Sequence, residues 1–83
     1  MANPVVLSIA GSTTFPTWAG GGTTTLWVRN KENKEGQVSV NAGAGHEYVN
    51  VSPNDTTSIQ RQWGGIIIGV TNSGQTAVEV WTA

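Results

Sequence analysis

From residue 25 onward the chain alternates apolar and polar positions with a period of two. Leu26 and Val28, Val38 and Val40, Val49 and Val51, Ile66, Ile68 and Val70, and Val78 and Val80 stand two apart. Near the start, Val5, Leu7 and Ile9 do the same. Successive side chains of a strand point to opposite sides, so this alternation marks strands with one buried face. No window shows the three-and-four spacing of an amphipathic helix. Strands are predicted at residues 5–10, 25–30, 37–41, 46–51, 57–63, 66–71 and 76–82.

The residues between these segments set the expected pairing. Gly64-Gly65 suits a two-residue hairpin loop, and Asn72-Ser73-Gly74 a three-residue loop ending in a left-handed residue. These loops place Trp63 opposite Ile66, Ile59 opposite Val70, Ile68 opposite Val78 and Ile66 opposite Val80. The same reasoning across residues 31–36 and 42–45 puts Val28 opposite Val38 and Val38 opposite Val49. Each set of three strands then shares one apolar face. The expected fold is all-β: a small antiparallel β-sandwich of about seven strands, built from two three-stranded meanders with the N-terminal strand on an edge. Arg61 conflicts with this register, which points it inward. An edge strand from which it snorkels, stacking on Trp63, or a bulge would each resolve the conflict.

Size and charge narrow the function. The 83 residues make one domain with a marginal core. With no cysteine and one histidine, a disulfide framework, thiolate metal sites and an all-histidine zinc site are excluded, and no metal or cofactor is expected. Charged residues are 11%, and the net charge of −1 offers no electrostatic footprint for nucleic acid or anionic lipid. The longest apolar run, Ile66 to Ile68, is far too short to span a bilayer, so no membrane partner is expected. Residues 1–10 lack the basic start and apolar core of a signal peptide, which leaves the compartment open. Residues 11–24 form a long Gly/Thr-rich stretch without a charged side chain, read as a loop capping the core or as an arm docking on a neighbour.

Candidate chemistry lies on the outward positions. The meander register gathers Trp27, Ser39 and Tyr48 in one row, with Arg29, Gln37 and Asn50 in the next and His46 beyond. Aromatic rings offer flat apolar platforms, and amides and Arg supply directed hydrogen bonds, a combination suited to a sugar, a planar ligand or a protein partner. Phe15, Trp18, Ile67 and Trp81 are the expected assembly contacts, since exposed apolar groups mark contact sites. Catalysis finds no support. His46 and Glu47 are strand neighbours on opposite faces, and no carboxylate shares the face of His46 and Ser39. Ser52, Asn54 and Asp55 bring one carboxylate to a calcium site, and Gly20-Gly21-Gly22 precedes a strand, not the helix a phosphate cradle needs.

Small size without staples, scarce charge and outward apolar groups favour a non-enzymatic structural module. It would self-associate as a homo-oligomer or with an assembly partner, as a virion surface, decoration or lattice protein does. The alternative is a small carbohydrate-binding module using Trp27 and Tyr48. A third reading is a protein-binding accessory domain of a longer chain.

Overall fold

A computed structural model describes residues 4–83. Those residues form eight strands: β1 (Val5–Leu7), β2 (Ser12–Phe15), β3 (Thr24–Asn30), β4 (Gly36–Ala42), β5 (Gly45–Val51), β6 (Asp55–Arg61), β7 (Ile68–Asn72) and β8 (Val78–Thr82). They make two four-stranded antiparallel sheets, ordered β1-β8-β3-β6 and β2-β7-β4-β5. The inward members of each alternation meet between the sheets. Leu26, Val28, Val38, Ile68, Val70 and Val80 are fully buried there, with Leu7 and Phe15 closing the core from the first two strands.

The pairs β1–β8, β2–β7, β3–β6 and β4–β5 are those of one long double-stranded ribbon whose tip is the β4–β5 turn. Rolling that ribbon brings β3 against β8 and β4 against β7, which completes the sheets. This is the strand order of an eight-stranded jelly roll.

The all-β sandwich expected from the alternation is present, but the two meanders are not. Only residues 42–45 join paired neighbours, with Val38 opposite Val49 and Ser39 opposite Tyr48 as the register required. Every other connection crosses between sheets. Val28 faces Thr57 and Val80 instead of Val38. The 66–71 segment pairs with β2 and β4, so Ile68 lies opposite Phe15 instead of Val78. Gly64 and Gly65 do take the left-handed φ values of 69° and 85° that a tight hairpin turn demands. The strands on either side nevertheless diverge. A crossing preserves inward parity as well as a hairpin does, so alternation alone cannot distinguish the two.

Two further segments depart from expectation. The first strand ends at Leu7, where a turn closed by Gly11 N–H donating to the Ser8 carbonyl (2.8 Å) carries the chain into the other sheet. Ile9 is thereby turned out and 60% exposed. Residues 12–15 of the uncharged stretch are strand β2, with Phe15 in the core. Arg61 sits on β6, an edge strand, and reaches outward to Glu47 at 2.9 Å, the snorkelling solution to its misfit.

Two buried asparagines shape the crossings. Asn30 ends β3 and Asn72 ends β7, each at the inward position that follows two apolar ones. Asn72 Nδ2 donates to the carbonyls of Thr76 (2.8 Å) and Leu7 (3.0 Å), and its Oδ1 accepts from Gly74 N–H (3.0 Å). Asn30 repeats the pattern with Lys34, Ser52 and Glu32. In both, one side-chain amide satisfies the backbone of its own loop and a neighbouring strand end, so the chain can leave a sheet without stranding polar groups.

Candidate functional site

The two sheets present chemically different outer faces. On the β2-β7-β4-β5 sheet the outward residues are Ser12 and Thr14 from β2, Gly69 and Thr71 from β7, Gln37, Ser39 and Asn41 from β4, and His46, Tyr48 and Asn50 from β5. None of them is Asp, Glu, Lys or Arg. Register sets Thr71, Ser39 and Tyr48 in one row and Gly69, Asn41 and His46 in the next. Tyr48 is 58% exposed and meets the His46 ring edge-on at 4.9 Å. Asn41 Oδ1 holds His46 Nδ1, which fixes that ring against the tyrosine.

A chain of hydrogen bonds crosses this face toward the crossing loops. Ser73 Oγ donates to Gln37 Oε1 at 2.9 Å, and Gln37 Nε2 donates to Asn50 Oδ1 at 2.9 Å. Gln37, Asn50 and Ser73 line an open cleft of ≈ 620 Å³, with Lys34, Glu35 and Gln75 on its rim. The 73–74 loop is pressed onto β4, since a Cβ on Gly74 would stand 2.6 Å from Gln37 N. Both ends of the Gln37 amide are thus engaged, its oxygen by Ser73 and its nitrogen by Asn50, and the Asn50 amide nitrogen takes no part in this chain of bonds.

The β1-β8-β3-β6 sheet carries the charged and indole groups. Trp27 lies opposite Trp81, ring centroids 6.1 Å apart and planes within 8°. Arg29 lies 5.0 Å above the Trp81 ring and donates to Glu79 at 2.8 Å, with Lys31 3.3 Å from the same carboxylate oxygen. Partial burial pushes the Glu79 carboxyl up, but the hydrogen bonds and charges of Arg29 and Lys31 outweigh it and hold the group below the usual carboxylate range.

The candidate ligand set is therefore divided. Gln37, Ser39, His46, Tyr48 and Asn50 stand together in the rows read from the sequence. Trp27 and Arg29 belong to the opposite face of the sandwich, because β3 pairs with β6 and β8 instead of β4. Among the expected contacts, Phe15 is core and Trp81 is stacked on Trp27, while Trp18 and Ile67 are 64% and 67% exposed. Ser73 and Thr71 join the amide face only through the β4–β7 pairing, and no local pattern announces that. Among the described residues, no three of His, Cys, Asp and Glu come together as metal ligands.

Residues 9–83 match a family of unknown function (DUF8244). The chain belongs to this family. The match takes in every strand from β2 to β8, and with them both halves of the amide face. Two proteins of Dictyostelium discoideum, both described as uncharacterized, are 41% and 40% identical to it over 69 residues. Each alignment covers 83% of this chain and 82% of the relative, so they resemble it over nearly their whole length. No solved structure matches the chain significantly.

Proposed function

We propose that this chain is a non-enzymatic binding module that takes a neutral carbohydrate on the outer face of the β2-β7-β4-β5 sheet. The observation that carries this reading is the Ser73–Gln37–Asn50 hydrogen-bond chain lining a cleft, with the exposed Tyr48 two positions from Asn50 on the same face of β5. Sugar hydroxyls need donors and acceptors at set directions, and an apolar ring face is needed for the C–H side of the pyranose. The committed amides supply the first and Tyr48 the second. The strands of this sheet face outward without an ionised group, which suits an uncharged ligand, and the charges at the cleft, Lys34 and Glu35, are of opposite sign. His46 is partnered by an amide, and no carboxylate on this face orients it as a general base. The jelly roll hosts lectin and capsid domains alike, so the fold does not choose between the readings.

The test is a glycan array followed by calorimetry on any hit. Tyr48→Ala is expected to lower affinity about fivefold to over a hundredfold, by analogy with the ~1–3 kcal/mol of base stacking on aromatics. Its melting temperature should stay put, since the ring is exposed. Binding that survives Tyr48→Ala but disappears in Trp81→Ala would move the site to the other sheet and sink this reading.

Self-association is the second reading, favoured by the edge of β6. Between Asp55 and Arg61 at its two ends, this edge strand carries no charge and no proline, the usual devices that keep edges from pairing. Copies joined along it would sediment well above one 8.7 kDa chain. A single monomeric species at high concentration would remove it.

A further inference from the structure

Three connections meet at one end of the sandwich: residues 16–23, 62–67 and the 43–44 turn. They are tied together. Thr17 Oγ1 donates to the Ile66 carbonyl at 2.7 Å, Trp18 N–H donates to Thr24 Oγ1 at 2.9 Å, and Ala19 packs so closely on Gly65 that a Cβ there would stand 3.2 Å away. These ordered loops hold apolar side chains out of the fold: Trp18 is 64% exposed, Ile67 67% and Ile66 40%.

Charge is distributed along the molecule in the opposite sense. Arg29, Lys31, Glu32, Lys34, Glu35, Asp55 and Glu79 lie toward the far end, on or beside the 31–35 crossing. Near the apolar end stand Arg61 and Glu47, which pair with each other at 2.9 Å. The tip itself, from Pro16 to Thr23 and from Gln62 to Ile67, has no charged side chain.

We propose that this tip seats peripherally on a zwitterionic phospholipid surface, with Trp18, Ile66 and Ile67 entering the interfacial region. Two observations select that occupant over a second copy of the chain. The first is area. The Cα extents are 38 × 22 × 17 Å, and four strands ~4.8 Å apart in two sheets ~10 Å apart account for the two short dimensions, which leaves the long axis along the strands. The end of the molecule has a Cα cross-section of about 370 Å², so two such ends face to face would reach only the low end, ~1,200 Å², of the range in which stable protein interfaces begin. A convex tip of loops would bury still less against its copy, whereas a bilayer deforms around it. The second is charge. Loops without charged side chains have no ionised side chain to desolvate on entering the headgroup region, and indole side chains favour that region because one edge is polar and the rest apolar. The expectation of no membrane partner rested on the lack of a spanning run and of basic charge. Three side chains on two loops leave neither signature.

The experiment is co-sedimentation of the full chain with phosphatidylcholine vesicles, paired with tryptophan quenching by brominated phosphatidylcholine. Binding should rise with lipid concentration and stay the same at high salt or with added phosphatidylserine. Trp18→Ser combined with Ile67→Ser should weaken partition at least tenfold while the melting curve is kept. Val6→Ser removes an equally exposed apolar group from the side of the sandwich (65% exposed) and should change nothing. Quenching of the unaltered protein tests the contact without any substitution. Absence of pelleting and quenching at millimolar lipid would overturn the proposal. So would an equal loss in Val6→Ser, or a dimer in lipid-free solution that the tip variant dissolves.

Discussion

Trp27 and Trp81 face each other across β3 and β8, their ring planes within 8° and their centroids 6.1 Å apart. Fifty-odd residues separate them in the chain, and neither is near the other's turn. Their stacking reports the long-range pairing that makes this a jelly roll and not two meanders. Parallel offset indoles are worth about 0.5–1.5 kcal/mol beyond the area they bury. A cycle of Trp27→Leu, Trp81→Leu and the double variant should therefore show a coupling of about 1 kcal/mol in denaturant unfolding. Coupling indistinguishable from zero would mean that the rings do not stack in solution.

Glu79 joins β8 to β3 electrostatically through Arg29 and Lys31. Its carboxyl is held below the ordinary range, so the folded state binds that proton less readily than the unfolded state does. The stabilisation it brings is complete above the unfolded value of about 4.3 and is lost as pH falls through the lowered folded value. Thermal melts of wild type and Glu79→Gln should differ at pH 6–7 and converge in acid. A gap that widens on acidification would reverse the assigned sign. High salt should narrow the gap at neutral pH, since Arg29 and Lys31 are both well exposed.

Asn72 satisfies three backbone groups at a crossing and is 1% exposed. Asn72→Ala would strand two carbonyls and one N–H, and a cost of about 2–3 kcal/mol follows from the penalty for unpaired buried groups. Asn72→Asp keeps the shape but aims a carboxylate at two carbonyls. It should be at least as damaging at pH 7 and partly recover in acid, where a protonated carboxyl can donate again. Urea titration of both variants measures this. If Asn72→Ala melts like wild type, water fills the corner and the amide is not what holds it.

How much of this was legible in the chain can be followed residue by residue. Alternation located the strands within a few positions, as for β3, β4 and β5, because burial of one face imposes a period of two whichever strand lies alongside. It also named most of the inward residues, but Ile9 and Ile66, placed on the inward parity, are exposed, and Phe15, expected as a contact, is core. The β4–β5 register, and with it the neighbourhood of Gln37, Ser39, His46, Tyr48 and Asn50, agrees with the hairpin expected at residues 42–45, whereas the Gly64-Gly65 turn joins strands of different sheets. Arg61 on an inward position marked a misfit, and of the edge, stacking and bulge solutions it allowed, the edge is the one the fold uses. The asparagines at the end of Leu26-x-Val28-x-Asn30 and Ile68-x-Val70-x-Asn72 are a further local signal: a polar residue on the buried parity marks where a chain turns out of its sheet.

What the chain by itself determined, then, was the class of fold, the faces of the strands, and whatever lies within reach of one tight turn. Tertiary structure decided which strands lie side by side. It carried Trp27 and Arg29 away from Tyr48, set Trp81 against Trp27, brought Ser73 to Gln37, and put Trp18 at the same end as Ile67. The reason is physical. A hairpin and a crossing between sheets satisfy the same alternation and accept the same glycine turn, so local sequence leaves them equivalent. They differ in how completely two sheets cover one another and in where buried backbone groups find partners, and both are properties of the whole chain folded at once.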